Sequence, residues 1–298
     1  MRDPRRYAAN LDLRGRPLVE VGYPYPWGMQ LPLSAAVAAR LEILDECGST
    51  NTELVGRASG ADAESWPDFS VIVTGSQTAG RGRLGRVWLA PPGQTLAISV
   101  LLRPHLPAGE PLEIDHYGWL PLIAGIAMTK AVAPLVPTHS VRLKWPNDVQ
   151  IDGRKVSGLL AELLPSGLAV VMGAGLNLTI PEDALPTPTS TSLALNDPIG
   201  PDTDLADRVL AGYLAEFGRL YANFLRFGAN PESSGIGEQL RDLCSTLGSQ
   251  VRVQLPGGDE LLGTAIGIDN SGRLSVKRSS DGRVASVAAG DVTHLRYE

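Results

Sequence analysis

The feature that most constrains this chain is the segment at residues 80–88, Gly-Arg-Gly-Arg-Leu-Gly-Arg-Val-Trp. Three glycines and three arginines within seven residues suit neither a helix interior nor a packed strand. They make a loop whose backbone can approach a ligand closely and whose guanidinium groups match carboxylate or phosphate oxygens. Gly80, Gly82 and Gly85 also spell G-x-G-x-x-G, but a dinucleotide fingerprint needs a helix opening here and an acid about 20 residues on. Instead residues 87–90 lead into Pro91-Pro92-Gly93, and the run at 96–103 contains no acid. A Rossmann reading fails on context. Taken alone, the segment is also compatible with a merely solvated surface loop.

The remaining composition narrows the setting. A chain of 298 residues, 43% hydrophobic and 19% charged, has room for one large domain and a small one. Its net charge of −6 argues against a surface built to coat nucleic acid, so the arginine loop is a local device. Cys47 and Cys244 are too far apart in sequence for a redox pair or a cysteine zinc cluster. His105, His116, His139 and His294 lack ligand spacing, so no protein-held metal is expected. The arginines of residues 1–16 are followed by no apolar h-region, and the long apolar run at 118–136 contains Pro121, Lys130 and Pro134. Both points indicate a cytoplasmic protein with no membrane partner.

In chain order, residues 1 to about 30 read as an irregular arm rich in Arg, Pro and aromatics. A short helix is expected at 33–40 and a strand at 41–46. Ser49, Thr50 and Asn51 then stand at a strand-to-helix corner, as N-cap candidates whose hydroxyl and amide groups can also bond a small polar molecule. The strand at 69–74 delivers Gln77 and then the arginine loop; the next strand is expected at 96–102 and a covering helix at 119–132. Residues 141–148 read Val-Arg-Leu-Lys-Trp-Pro-Asn-Asp, where proline stops a strand and holds Lys144, Asn147 and Asp148 at its end. Asp152-Gly153 is a hairpin turn, and strand alternation on the return run puts Lys155 and Ser157 on one face. In the strand at 168–178, Gly173 and Gly175 suggest close approach by a ligand or another backbone, beside Asn177, which suits a base edge. Apolar residues recur at helical spacing over 205–224, and from 249 short strands with tight turns imply a separate small barrel. The expected division is an arm at 1–40, a catalytic domain at 41–248 and a small domain at 249–298.

The Gly-Arg-Gly-Arg-x-Gly-Arg-x-Trp, Lys-Trp-Pro-Asn-Asp and Gly-x-Gly-x-Asn blocks, with Lys155 to Gly158 between the last two, resemble the biotin protein ligases in kind and order. The resemblance covers about residues 40 to 298. It implies an α+β fold: a mixed sheet backed by helices, like the class II aminoacyl-tRNA synthetase core, followed by a small SH3-like β-barrel. It implies two steps, in which the biotin carboxylate attacks the α-phosphate of ATP and the resulting biotinyl-5′-AMP acylates a lysine of a biotin carboxyl carrier domain. Mg2+ would enter with ATP.

By the same resemblance, Ser49, Thr50, Asn51, Gln77, Gly80, Arg81, Gly82, Arg83, Trp88, Lys155, Gly158 and Leu160 hold biotin. Arg83, Arg86, Lys144, Asn147, Asp148, Lys155 and Asn177 hold the nucleotide, and Arg83, Lys155 and Asp148 carry the chemistry. Some members of the family carry an N-terminal DNA-binding domain and act as repressors. The 48 residues before Ser49, many near prolines, leave no room for one, so no nucleic acid partner is expected. A monomer or weak homodimer is expected. The competing readings are a lipoate ligase or octanoyl transferase of similar fold, a regulator that senses biotinyl-AMP, and an interaction protein working through the C-terminal barrel.

Overall fold

The computed structural model describes residues 10–11, 17–18, 30–89, 91–255, 259–288 and 291–294. Of the expected arm, β1 (Asn10–Leu11) and β2 (Pro17–Leu18) form a short antiparallel pair, and most of the remainder lies outside the described residues. The expected helix at 33–40 is shorter: α1 (Pro32–Ala35) is a single turn. Its Leu33 and Ser34 N–H groups both donate to the buried Asp207 carboxylate at 2.9 Å. Five residues after Ala35, Arg40 is already in ladder register with Ser70, which ends any helix there.

The body is a seven-stranded mixed sheet. Its strands are β3 (Arg40–Leu44), β4 (Ser70–Thr74), β5 (Thr95–Leu102), β6 (Val141–Lys144), β7 (Asp148–Ile151), β8 (Arg154–Leu163) and β9 (Val170–Asn177), in the order β3-β4-β5-β9-β8-β7-β6. The β3–β4 pair is parallel and every other neighbouring pair antiparallel. The parallel pair requires a crossover, supplied by α2 (Thr50–Ser59).

The two faces of the sheet are covered unequally. On one lies α3 (Trp119–Val132), with twelve of fourteen residues buried, so it is a core helix rather than a surface one. It is covered in turn by α4 (Leu205–Arg226), whose Val209, Tyr213, Phe217, Leu220 and Phe224 point inward at the expected helical spacing, and by α5 (Ile236–Leu243). The other face is covered near Ile72, Leu101 and Val171 by Leu54 and Ala58 of α2, together with Trp66 and Leu164. Beyond the start of α2, the middle of the sheet presents mostly small side chains to this side: Ala97 and Ser99 of β5, Gly173 and Gly175 of β9, and Gly158 of β8, with Leu160 at the margin. Nothing large fills that part of the face, and a hollow remains.

The C-terminal residues form an all-antiparallel five-stranded sheet from β10 (Gln250–Gln254), β11 (Glu260–Ile268), β12 (Leu274–Arg278), β13 (Val284–Val287) and β14 (Asp291–His294), ordered β13-β12-β11-β10-β14. Among the described residues the ladder runs from β13 at one edge to β14 at the other. Its Val251, Val253, Leu274 and Val276 belong to the same continuous core as α3 and α4. Two buried tryptophans, at the start of α3 and just after β6, fasten it to the larger body: Trp119 Nε1 donates to Asn270 O at 2.9 Å, and Trp145 Nε1 to Gly272 O at 3.3 Å.

Candidate active site

The hollow is a cavity of about 410 Å³, within the usual range of about 300–1,000 Å³ for small-molecule sites. Strand pairing lays out its floor. Gly173 lies between Ser99 and Leu160, Gly175 between Ala97 and Gly158, and Asn177 beside Thr95. Three tiers two residues apart span about 13 Å from Gly173 to Asn177.

The first tier is a polar corner. Thr50 and Asn51, the first residues of α2, are buried, and Ser49 at the N-cap makes no side-chain capping bond. Their side chains are committed to the cavity wall rather than to the helix end. Ser99 Oγ donates to Asn51 Oδ1 at 2.6 Å and lies 2.8 Å from Thr50 Oγ1; Asn51 Nδ2 donates to Leu160 O at 3.3 Å. Gln77 Oε1 accepts from the Thr50 N–H at 2.9 Å, which leaves the Gln77 amide donors turned toward the loop that follows.

The second tier is roofed by the arginine loop. Trp88 N–H donates to Gly80 O at 3.0 Å and Gly82 N–H to Arg86 O at 2.7 Å, with a single bridge between Arg81 and Val87. The loop is thus a short hairpin closed by a turn at Leu84 and Gly85, both at positive φ (56° and 73°). Gly80 does not line the cavity. A Cβ there would fall 2.5 Å from Trp88 O, so its role is to let the two sides of the hairpin meet. The closed hairpin lays the Trp88 indole on the floor: Cβ atoms at Gly175 and Gly158 would lie 2.3 Å and 3.0 Å from its ring carbons. The close approach expected at Gly173 and Gly175 is therefore made by side chains, Asn51 and Trp88, rather than by a backbone.

The third tier concentrates charge. Lys155 Nζ lies 2.6 Å from Asp148 Oδ1 and 5.5 Å from the Trp88 ring centroid. Arg83 donates to Asn147 Oδ1 at 3.1 Å, and Asn147 Nδ2 donates to Leu159 O at 2.8 Å. Burial pushes the Arg83 pKa below its ordinary value; Asp148 pulls it back up, and Arg86 adds a further downward push. A cation desolvated beside another cation is stabilised by an incoming anion. At the far end Asn177 is buried, with Nδ2 donating to Thr191 O at 2.9 Å and Oδ1 left without a partner.

Most expected site residues line this one cavity: Ser49, Thr50, Asn51, Gln77, Arg81, Gly82, Arg83, Arg86, Trp88, Asn147, Asp148, Lys155, Gly158, Leu160 and Asn177. Lys144, like Gly80, does not; it sits in the β6–β7 ladder opposite Asp148. The expected common face of Lys155 and Ser157 is also corrected. A bulge sets Val149 against Ser157 and Gln150 against Lys155, so the two side chains part. Lys155 reaches the cavity over Gly158, while Ser157 is fully buried and donates to Gly175 O at 2.7 Å.

Sequence reasoning missed Ser99, although a lone serine inside the run Leu-Ala-Ile-Ser-Val-Leu was a readable signal. It also missed Thr187, Thr189 and Ser190, which line the cavity because Lys155 N–H donates to Thr189 O at 2.7 Å. Their sequence looked like any Pro/Thr/Ser loop.

A strand-floored cavity with an amide-and-hydroxyl corner, a glycine-arginine roof and a cationic end is a site of the class that can hold a small carboxylic acid beside a phosphorylated partner. Residues 48–177 match the Biotin/lipoate A/B protein ligase family, and residues 246–295 match the Biotin protein ligase C terminal domain. The chain is 40% identical over 262 residues to a biotin--[acetyl-CoA-carboxylase] ligase of Mycobacterium tuberculosis, covering 86% of this chain and 90% of that one. It is 29% identical over 217 residues to the bifunctional ligase/repressor BirA of Bacillus spizizenii, covering 70% of this chain and 61% of that one. The fold is shared with the biotin protein ligase of Aquifex aeolicus, solved in complex with biotin and ATP, at a TM-score of 0.62 and 24% identity over 86% of this chain and 99% of that one. This chain belongs to the biotin/lipoate protein ligase family, in its biotin protein ligase branch.

Proposed function

We propose that the protein activates biotin with ATP to biotinyl-5′-AMP and transfers the biotinyl group to a lysine of a biotin carboxyl carrier domain of a biotin-dependent carboxylase. The observation that carries this reading is the order of the three tiers. An uncharged polar corner suits a ureido group at one end, the Trp88-covered glycine floor suits a ring and aliphatic tail, and the cations meet a carboxylate at the other end. The unpartnered Asn177 Oδ1 suits an exocyclic amine such as that of adenine.

The first step brings two anions together, the biotin carboxylate and the α-phosphate. The carboxylate oxygen forms the new P–O bond and pyrophosphate leaves. Arg83 and Lys155 screen the repulsion and stabilise the charge on the pentavalent phosphorus, with Arg86 toward the phosphates. Asp148 is the one carboxylate among the described cavity residues, and no group of three or more potential metal ligands occurs among the described residues. Magnesium would enter with ATP, held by the phosphate oxygens with Asp148 as the cavity carboxylate that would hold it, and it would supply further screening of the phosphate charge. In the second step the carrier lysine attacks the acyl carbon, AMP leaves, and Asp148 is placed to orient the amine or take its proton. The closed loop keeps water from the mixed anhydride. In this reading the sheet is of the class II synthetase type, the C-terminal sheet is SH3-like, and the reaction runs in the cytoplasm, where ATP is supplied.

The test incubates the purified protein with ATP, Mg2+ and an apo carrier domain, offering biotin, lipoate or octanoate in separate reactions. Mass gain of one biotinyl group on the carrier, and with biotin alone, is the expected result. Gain with lipoate or octanoate instead would replace the assignment.

A further inference from the structure

Arg81 is placed differently from the other loop arginines. Its Nη2 reaches outward to two neighbours on different elements, Thr52 Oγ1 on α2 and Glu162 Oε2 on β8, each at 2.9 Å. Neither neighbour lines the cavity. One guanidinium nitrogen on the roof is thus tied to the two elements that flank the hollow, α2 and β8. The rest of the hairpin has little to hold it: Leu84, Val87 and Leu89 are all more than half exposed, and its turn residue Leu84 stands at a φ that a branched side chain rarely adopts. Arg57, on the same helix as Thr52, is occupied by Glu42 at 2.9 Å, so it does not compete for Glu162.

We propose that Glu162 and Thr52 are positioning residues that latch the arginine loop through Arg81, setting how long the activated intermediate stays enclosed rather than how fast it forms. The intermediate itself rests on the function proposed above; the latch does not. The Arg81–Glu162 pair is half-exposed, so its effect is modest and screened by salt, which suits a roof that must reopen each turnover.

Two measurements decide it, on wild type, Glu162→Gln, Thr52→Val and the conservative Glu162→Asp. The first is tryptic cleavage within residues 80–88 of the ligand-free protein. The latch predicts cleavage faster by roughly two- to fivefold in Glu162→Gln and Thr52→Val, an intermediate rate in Glu162→Asp, and an unchanged thermal midpoint. The second is release of biotinyl-5′-AMP from preloaded protein as salt is raised. Release accelerates with salt more steeply in wild type than in Glu162→Gln, because the variant has already lost the screened pair. Equal cleavage rates across the four proteins overturn the latch. If wild type forms no adenylate at all, the proposed function falls and the cleavage rates still decide the latch.

Discussion

At the scale of single residues, Gly175 and Arg83 are the two most exposed to test. A methyl group at Gly175 would sit 2.3 Å from the Trp88 indole, so Gly175→Ala forces the ring, and with it the hairpin roof, off the floor. Overpacking of this kind costs about 1–3 kcal/mol. The expected outcome is a raised KM for biotin with the sheet intact by circular dichroism; an unchanged KM would show that the ring has room to shift. Arg83→Ala removes a buried cation whose pKa is already depressed by burial, and leaves Asn147 Oδ1 without its donor. A charge-assisted hydrogen bond contributes about 1.5–3 kcal/mol, so release of biotinyl-5′-AMP should rise by roughly tenfold to a hundredfold, read by filtration of preloaded protein. Unaltered release would remove Arg83 from the site. These roles were partly legible in the sequence: the residue types of the loop pointed to an anion clamp. That Trp88 folds back onto Gly175 and Gly158 was not, because it depends on two strands meeting 70 and more residues later.

At the scale of elements, the strongest sequence signals produced the elements with the least ambiguity. The apolar run of α3 and the helical repeat of α4 ended within two residues of where periodicity placed them, since both are decided by burial of a continuous face. The bulge in β8 was hidden, because one extra residue leaves the apolar pattern nearly intact while turning Lys155 and Ser157 apart. The α3–α4 layer also carries a pH signature. Glu216 on α4 bonds Arg219 at 2.7 Å and Lys130 of α3 at 2.8 Å, and these partners, Arg219 foremost, hold its carboxyl down at about 2 against an ordinary 4.5. A depressed acid stabilises the fold above its unfolded pKa, and that stabilisation is lost as pH falls from 4.5 toward 2. Glu216→Gln should therefore lower stability at neutral pH and flatten the acid limb of a urea-midpoint profile; parallel profiles for the two proteins would contradict the assignment.

At the scale of the whole molecule, one core runs through both sheets, and the C-terminal sheet is fastened to the larger body by Trp119 of α3 and by Trp145, which donate into the turn at 270–272. Such coupling predicts a single cooperative urea transition, with tryptophan fluorescence and far-UV circular dichroism coinciding; two resolved transitions would mean the sheets unfold independently. The same fastening explains why Asn147 and Asp148 are so well placed. They follow the Trp145-Pro146 pair in sequence and line the cationic end of the cavity. The central claim is that this cavity activates biotin as an adenylate, and biotin-dependent exchange of labelled pyrophosphate into ATP tests it most directly. Exchange with biotin and none with lipoate or octanoate is the result the three-tiered cavity predicts. No exchange with biotin, or exchange with the other acids in its place, would contradict it.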